Sequence, residues 1–471
     1  MSVATALSLR MPVIPTDASP FRALRARLAG DLITPADPGY DDARRTQSIV
    51  LDRYPLAIVR AANNRDVAAA VDFARECDLS IAVRGGGHSV AGHSMVDDTL
   101  VIDLSQMKRV LVDPTSRTAR VQGGATSADI AGPAHEHDLA LSTGDTASVG
   151  IGGLTTGGGV GFMVRKFGLA IDNLLSAEVV TADGELVTAS ATSHPDLFWA
   201  IRGGGGNVGI VTEFTFRLAP VGQVLGGLLA LPATPATIRG YLDAAVAAPD
   251  DLTTIANLMP APPLPFVPQE VVGKPVLAIL VTWTSDIDAG QQALAPFRAL
   301  AEPIVDMVGP MPYPVMYAFT EEQAGPHGAA VRMMFADDLS DATIDAALDA
   351  VATADSPFSV VQVRGLGGAM ARVDPAATAF AHRERRYFVA ILRAWFDPAE
   401  DAAPHQAWAE SLWREIRADG NGVYVNFLGE EGEARVREAY PAETYERLAA
   451  IKRQYDPENL FRHNQNIAPK A

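Results

Sequence analysis

The chain has 471 residues, 48% hydrophobic and 20% charged, with a formal net charge of −18 and a single cysteine, Cys77. This length exceeds one ordinary hydrophobic core and implies two domains, or one with a large insertion. The acidic balance argues against a nucleic-acid partner, and the lone cysteine excludes an internal disulfide and any multi-cysteine metal or iron–sulfur site. Met1 to Pro20 lacks a basic region followed by a sustained apolar stretch, and no run of about 18 apolar residues occurs anywhere. A cytoplasmic protein without a membrane partner is expected, whose redox chemistry, if any, belongs to a bound cofactor.

In chain order, 21–32 reads as a short helix and 37–50 as an irregular entry segment. Leu56–Val59 is a short apolar strand, Asn63 and Asn64 open a helix over Arg65–Cys77, and Ser80–Val83 is a second strand. This strand–helix–strand unit ends on the loop Arg84, Gly85, Gly86, Gly87, His88, Ser89. Three adjacent glycines remove the side chains that would hold a backbone away from a bulky ligand, and their N–H groups can cradle an anion. A nucleophilic imidazole there could attack a cofactor, and an irregular turn with a surface histidine is the alternative.

Strands follow at 100–104, 109–113 and 118–124, then a helix from Ser127. A second glycine-rich stretch runs from Ser142 to Gly161, with seven glycines between Gly150 and Gly161. That density predicts a backbone tracking a ligand rather than a helix or a strand interior. Strands at 177–182 and 184–190 meet at the Ala182-Asp183-Gly184 turn. A helix over Pro195–Ile201 runs into a third glycine cluster, Arg202 to Gly209, and the strand Ile210–Leu218. Gly204, Gly206 and Gly209 formally satisfy G-x-G-x-x-G, but that fingerprint needs a strand before it and a helix after it. The order here is reversed, so a nicotinamide-binding fold is rejected.

Residues 219–420 change character, with proline-rich stretches at 259–268 and 309–314. Strands are expected at Val224–Leu231, Val276–Thr284, Val360–Arg364 and Phe388–Phe396, with helices near 236–247, 288–300, 341–353 and 404–418. This pattern predicts an α+β substrate domain. The last fifty residues return to a helix and a tail in which three consecutive amides, Asn464, Gln465 and Asn466, need partners if buried.

The loop 84–89, the run from Gly144 to Gly161, GLAIDN at 168–173, the block 196–214 and the closing YDPENLFRHNQNI at 455–467 resemble the vanillyl-alcohol-oxidase superfamily, and within it the berberine-bridge-enzyme-like branch. The resemblance implies an FAD-binding domain in two parts, 1–220 and 421–471, with an antiparallel-sheet substrate domain covered by helices inserted at 221–420. It implies FAD bonded through a ring nitrogen of His88 to the flavin 8α-methyl. His93 is a rival without the three-glycine approach. Further cofactor contacts are expected from Arg84, Gly85, Gly86, Gly87 and Ser89, and from Gly144, Thr146, Val149, Gly150, Gly152, Gly153, Gly157 and Gly158. Asp172, Gly209, Val211, Asn426, Asn464 and Asn466 complete the set. Many members of the branch add a cysteinyl bond, but Thr146 stands at that position and Cys77 lies in the wrong element, so one bond is expected. Val149 stands where the family gates oxygen, a small valine being permissive, although packing alone would equally account for it.

Two positions where related enzymes carry catalytic groups are apolar here. Counting back from Trp395 places Ala390 at an acidic or amide position, and Phe427 ends a motif whose last residue is elsewhere a tyrosine. Tyr424, Tyr387, Arg393 and His382 remain as catalytic candidates, each with a structural alternative: a core tyrosine beside the flavin, strand packing, an ion pair and a surface position respectively. The expected function is oxidation of a small alcohol, amine, phenolic natural product or sugar by hydride transfer to flavin N5, with oxygen as acceptor and hydrogen peroxide as product. A dehydrogenase with another acceptor and a redox-neutral flavoprotein are the alternatives. A metal-dependent hydrolase has little support, because the histidines lack zinc-site spacing.

Overall fold

Three short apolar runs, Ala57–Arg60, Ile81–Arg84 and Leu100–Asp103, form parallel strands, and Asp31–Ile33 adds antiparallel to the first. The computed structural model describes residues 19–321 and 325–469. Leu100–Asp103 lies between the other two parallel strands, and the helix Asn64–Glu76 makes the crossover. That helix starts where expected because the Asn63 side chain accepts from the N–H groups of Arg65 and Asp66, satisfying two of its orphan donors. Strand Ile81–Arg84 delivers the loop of His88 at its C-terminal end.

A second sheet is antiparallel, in the order Val110–Asp113, Thr118–Gln122, Ile210–Arg217, Leu174–Val180, Leu186–Ser190. The helix Pro195–Ala200 does precede the third glycine cluster and a strand does follow it. The second glycine run departs from expectation: Ile151–Gly157 is a helix. Each interior glycine costs roughly 1 kcal/mol in helix propensity, but here the missing side chains permit contact. A Cβ on Gly152 would lie 2.7 Å from the Gly123 carbonyl oxygen, and the Asn426 amide fills the space beside Gly157.

Residues 223–421 build a nine-stranded antiparallel sheet. The four expected strands are present as Gln223–Pro232, Pro275–Trp283, Ser359–Gly365 and Tyr387–Trp395. Two long strands, Leu252–Pro260 and Gly328–Ala336, were not anticipated. The first is buried almost throughout and shows no alternation, and it runs into the proline-rich stretch at 259–268. The second is rich in alanine and methionine, which favour helix in isolation. Pairing on both sides overrides that preference. Helices Pro235–Ala247, Ile287–Arg298, Asp341–Ala352 and Ala402–Ile416 cover one face, where Leu242, Leu294, Ile344 and Leu412 pack on strand residues such as Ile279 and Ile391. The fold is therefore α+β, with the helix-covered antiparallel sheet expected for the middle of the chain.

The tail is held by a buried ion pair. Lys452 and Asp456 are both fully buried and 3.0 Å apart. Lys452 Nζ also donates to the carbonyls of Asn207 and Phe461, and Asp456 accepts from the N–H groups of Leu460 and Phe461. Such a pair is tolerated inside a core only when its remaining hydrogen-bonding capacity is filled, as here. It ties the C-terminal segment to the third glycine cluster, and one apolar core spans Phe214, Leu448 and Ile467 together with Phe335 and Phe388 of the large sheet.

Candidate active site

A cavity of about 830 Å³ lies between the uncovered face of the nine-stranded sheet and the glycine segments and tail. The glycine loops meet at its wall: a Cβ on Gly86 would come within 2.8 Å of the Gly150 Cα, so neither residue accommodates a side chain. Gly85, Gly86, Gly87, His88, Ser89 and His93 line it, with Gly144, Thr146, Val149, Gly150, Gly152 and Gly153 from the second run. Gly209, Val211, Asn426 and Asn464 complete the expected residues that reach it.

His88 Nε2, His93 Nε2, His463 Nε2 and Asn464 Oδ1 are buried polar atoms without a hydrogen-bond partner among the described residues. Buried orphans of this kind need an explanation, and clustered on one cavity they fit a bulky polar ligand. Burial, aided by nearby His327, holds the His88 imidazole down at about 4 against a smaller opposite pull from the Ser148 backbone. His88 is therefore neutral at pH 7, the form in which an imidazole nitrogen is nucleophilic. Burial likewise brings His93 to about 4, with His463 contributing.

The His93 value sets an acid limit. Its ordinary value is 6.5, so between 6.5 and about 4 the unfolded chain binds a proton that the folded chain refuses. The associated stability is complete above that window and is lost as pH falls through it, by up to about 1.4 kcal/mol per pH unit. Thermal melts at about pH 7.5 and 5.5 should show a larger drop in Tm for the wild type than for His93→Gln. Equal drops would contradict it.

Tyr424 is buried at the cavity wall. Its oxygen accepts the Gly159 N–H at 2.9 Å and the Asn426 Nδ2 at 2.9 Å, and the same Asn426 nitrogen donates to the Leu154 carbonyl, which fixes the amide orientation. With both lone pairs taken, the hydroxyl hydrogen is what Tyr424 has left to offer. Burial raises its pKa, opposed by those N–H donors.

Other expectations need correction. The Tyr387 hydroxyl donates to the Leu242 carbonyl at 2.8 Å on the helix-covered side of the sheet, away from the cavity. His382 Nε2 pairs with the Glu438 carbonyl at 2.8 Å and its ring packs on Phe335, also off the cavity. Arg393 reaches the cavity, but its guanidinium is committed to Asp355 and to His405 Nδ1. Of the cofactor candidates, Arg84 turns away to the Ala43 carbonyl, and Asp172 holds the fully buried Arg383 through two hydrogen bonds of 2.7 and 2.9 Å. Gly157 and Gly158 support the wall from behind, against Asn426, Phe380 and Tyr424. Asn466 has a buried, unpartnered Oδ1 but does not line the cavity. Cys77 sits at the end of the helix Asn64–Glu76, also off it.

The cavity also recruits His463, Asp145, Asn257, Gln362 and Arg364, which the sequence did not single out. A signal existed: in Ser359–Gly365, Gln362 and Arg364 alternate with Val361 and Val363, marking one polar face. Gln362 stands directly across from Ala390, so an amide absent from one strand is present on its neighbour.

Abutting glycine loops, a neutral histidine and unpartnered polar atoms on a large cavity define a flavin-type oxidoreductase site. An "FAD binding domain" family model matches residues 55–190, and a "Berberine and berberine like" model matches 423–468. The chain is 32% identical over 455 residues to the uncharacterised FAD-linked oxidoreductase YgaK of Bacillus subtilis (strain 168), covering 94% of this chain and 98% of that one. It is 32% identical over 473 residues to (R)-6-hydroxynicotine oxidase of Paenarthrobacter nicotinovorans, again over 94% and 98%. A solved structure of glucooligosaccharide oxidase from Acremonium strictum, with 6-S-cysteinyl, 8α-N1-histidyl FAD, superposes with a TM-score of 0.86 at 25% identity, over 96% of this chain and 100% of that one. The chain belongs to the berberine-bridge-enzyme-like family of FAD-linked oxidoreductases.

Proposed function

We propose that the protein is an oxidase that carries FAD on a single covalent bond to His88 and oxidises a small organic molecule, passing electrons to oxygen to give hydrogen peroxide. The observation that carries this is His88 itself: a neutral imidazole with an unpartnered nitrogen, set where two glycine loops press together. Residues 1–220 and 421–471 would form the two parts of the FAD domain, because the glycine clusters and the tail share one side of the cavity. Residues 221–420 would form the substrate domain, because the large sheet supplies the other side.

Bound FAD supplies the acceptor for the hydride removed from the substrate carbon. The chain's own residues hold both partners. Gly86 and Gly150 allow close approach, and His463 and Asn464 offer polar atoms from the tail. Tyr424 directs its hydroxyl hydrogen to the substrate oxygen or nitrogen, and the N–H groups of Gly159 and Asn426 are placed to stabilise that oxygen if its proton moves. Thr146 has no sulfur, so a second bond, a thioether, cannot form there. Val149 and Gly150 leave a wall of small residues beside His88 for oxygen to reach the site.

Stopped-flow mixing of anaerobically reduced protein with air tests the acceptor. Rapid reoxidation is expected. Reoxidation only by an added dye would instead mark a dehydrogenase, and absence of reduction by alcohols, amines, phenols and sugars would mark a redox-neutral flavoprotein.

A further inference from the structure

The cavity face of the nine-stranded sheet is mainly apolar; apart from Arg393, which Asp355 and His405 hold, its polar lining is one chain of side chains. Leu228, Met259, Val276, Leu280, Val360 and Leu392 line it from neighbouring strands. Across them run Asn257, Gln362 and Arg364. Gln362 Nε2 donates to Asn257 Oδ1 at 2.8 Å, and Arg364 Nε donates to Gln362 Oε1 at 2.8 Å. Arg364 is 4% exposed. Its Nη2 lies 2.7 Å from Asp145 Oδ2, in the glycine-rich segment opposite, so the guanidinium bridges the two sides of the cavity. It lies over the Phe388 and Phe427 rings at 4.9 and 5.5 Å. A guanidinium carries five N–H groups. Nε and Nη2 account for two, and among the described residues no acceptor takes those of Nη1.

We propose that this row is the specificity determinant of the site, and that it selects a mainly apolar ring compound bearing one hydrogen-bond-accepting oxygen, which Arg364 binds. This rests on the oxidase reading and narrows its substrate. Asp145 cancels the arginine charge, so the row reads an oxygen by geometry and does not gather polyanions. A saccharide, with a hydroxyl on nearly every carbon, would leave most of them unpartnered against leucine, valine and methionine, a desolvation cost that an apolar ring avoids. Phe266, Phe358 and Phe396, partly exposed at the cavity, add flat apolar surface suited to a ring.

The test is equilibrium binding to the purified flavoprotein, whose visible spectrum first establishes that flavin is bound; a colourless protein would refute the flavin reading rather than this one. Titration calorimetry under anaerobic conditions would compare 4-hydroxybenzylamine with benzylamine, 4-hydroxybenzyl alcohol with benzyl alcohol, and cellobiose. The hydroxylated member of each pair should bind about ten- to a hundredfold more tightly, the range of one hydrogen bond to a charged group, and cellobiose should bind weakest. In the double variant Asp145→Asn with Arg364→Met, which leaves no unpaired charge behind, that preference should fall to near unity. In Gln362→Met it should shrink, because Arg364 loses its support. Equal binding within each pair, tighter binding of cellobiose, no binding of any ring compound, or a preference unchanged in flavin-loaded variants would overturn the proposal.

Discussion

His88→Ala should yield a protein from which all yellow colour passes into the supernatant on acid precipitation, whereas the wild type should keep its colour in the pellet. The effect is all or none because the described residues offer no equivalent tether. Cys77 is the only cysteine and lies off the cavity, and Thr146 cannot form a thioether. His93 and His463 reach the cavity with orphaned nitrogens, but neither directly follows the glycines that abut Gly150. The glycine loops, Asn426 and the tail are unchanged in this variant, so FAD should still bind without the bond. Colour retained in the pellet of the variant would place the attachment elsewhere.

Tyr424→Phe should lower kcat by about 10² to 10⁴, the usual contribution of a positioned proton-transfer group. The ring itself is well packed, with Phe380, Phe388 and Phe427 at 5.8 to 6.1 Å between centroids, and phenylalanine preserves those contacts. What is lost is one oxygen. The Gly159 N–H and one Asn426 N–H would then lack their acceptor, at a cost of about 1–3 kcal/mol each if left unmet. Kinetics and melting therefore need measuring together. A folded, flavin-loaded variant with kcat within about threefold of wild type would remove Tyr424 from the chemistry.

The local signals in the sequence were strong near His88. Three glycines after an apolar strand, an asparagine cap before the crossover helix and a helix-before-strand order around Gly209 each have a short-range physical cause. The helix Ile151–Gly157 was not legible, because two of its three glycines, Gly152 and Gly157, make close contacts with Gly123 and Asn426, distant in sequence. Leu252–Pro260 and Gly328–Ala336 were missed because uniform burial and helix-favouring residues conceal a strand until its neighbours are known. Catalytic candidates fared worst. Tyr387 and Tyr424 are both buried tyrosines, and only the side of the sheet each faces separates a carbonyl-bound core residue from a cavity residue. Asn257, Gln362, Arg364 and Asp145 come from three separate segments and become a unit only through strand register and the close approach of the glycine-rich segment.

The mass of the intact unfolded chain, followed by mapping of the peptide that contains His88, bears most directly on the central claim. One FAD per chain, carried on His88, is the expected result. An unmodified mass from a preparation that is yellow before unfolding, or a flavin on any other residue, would contradict it.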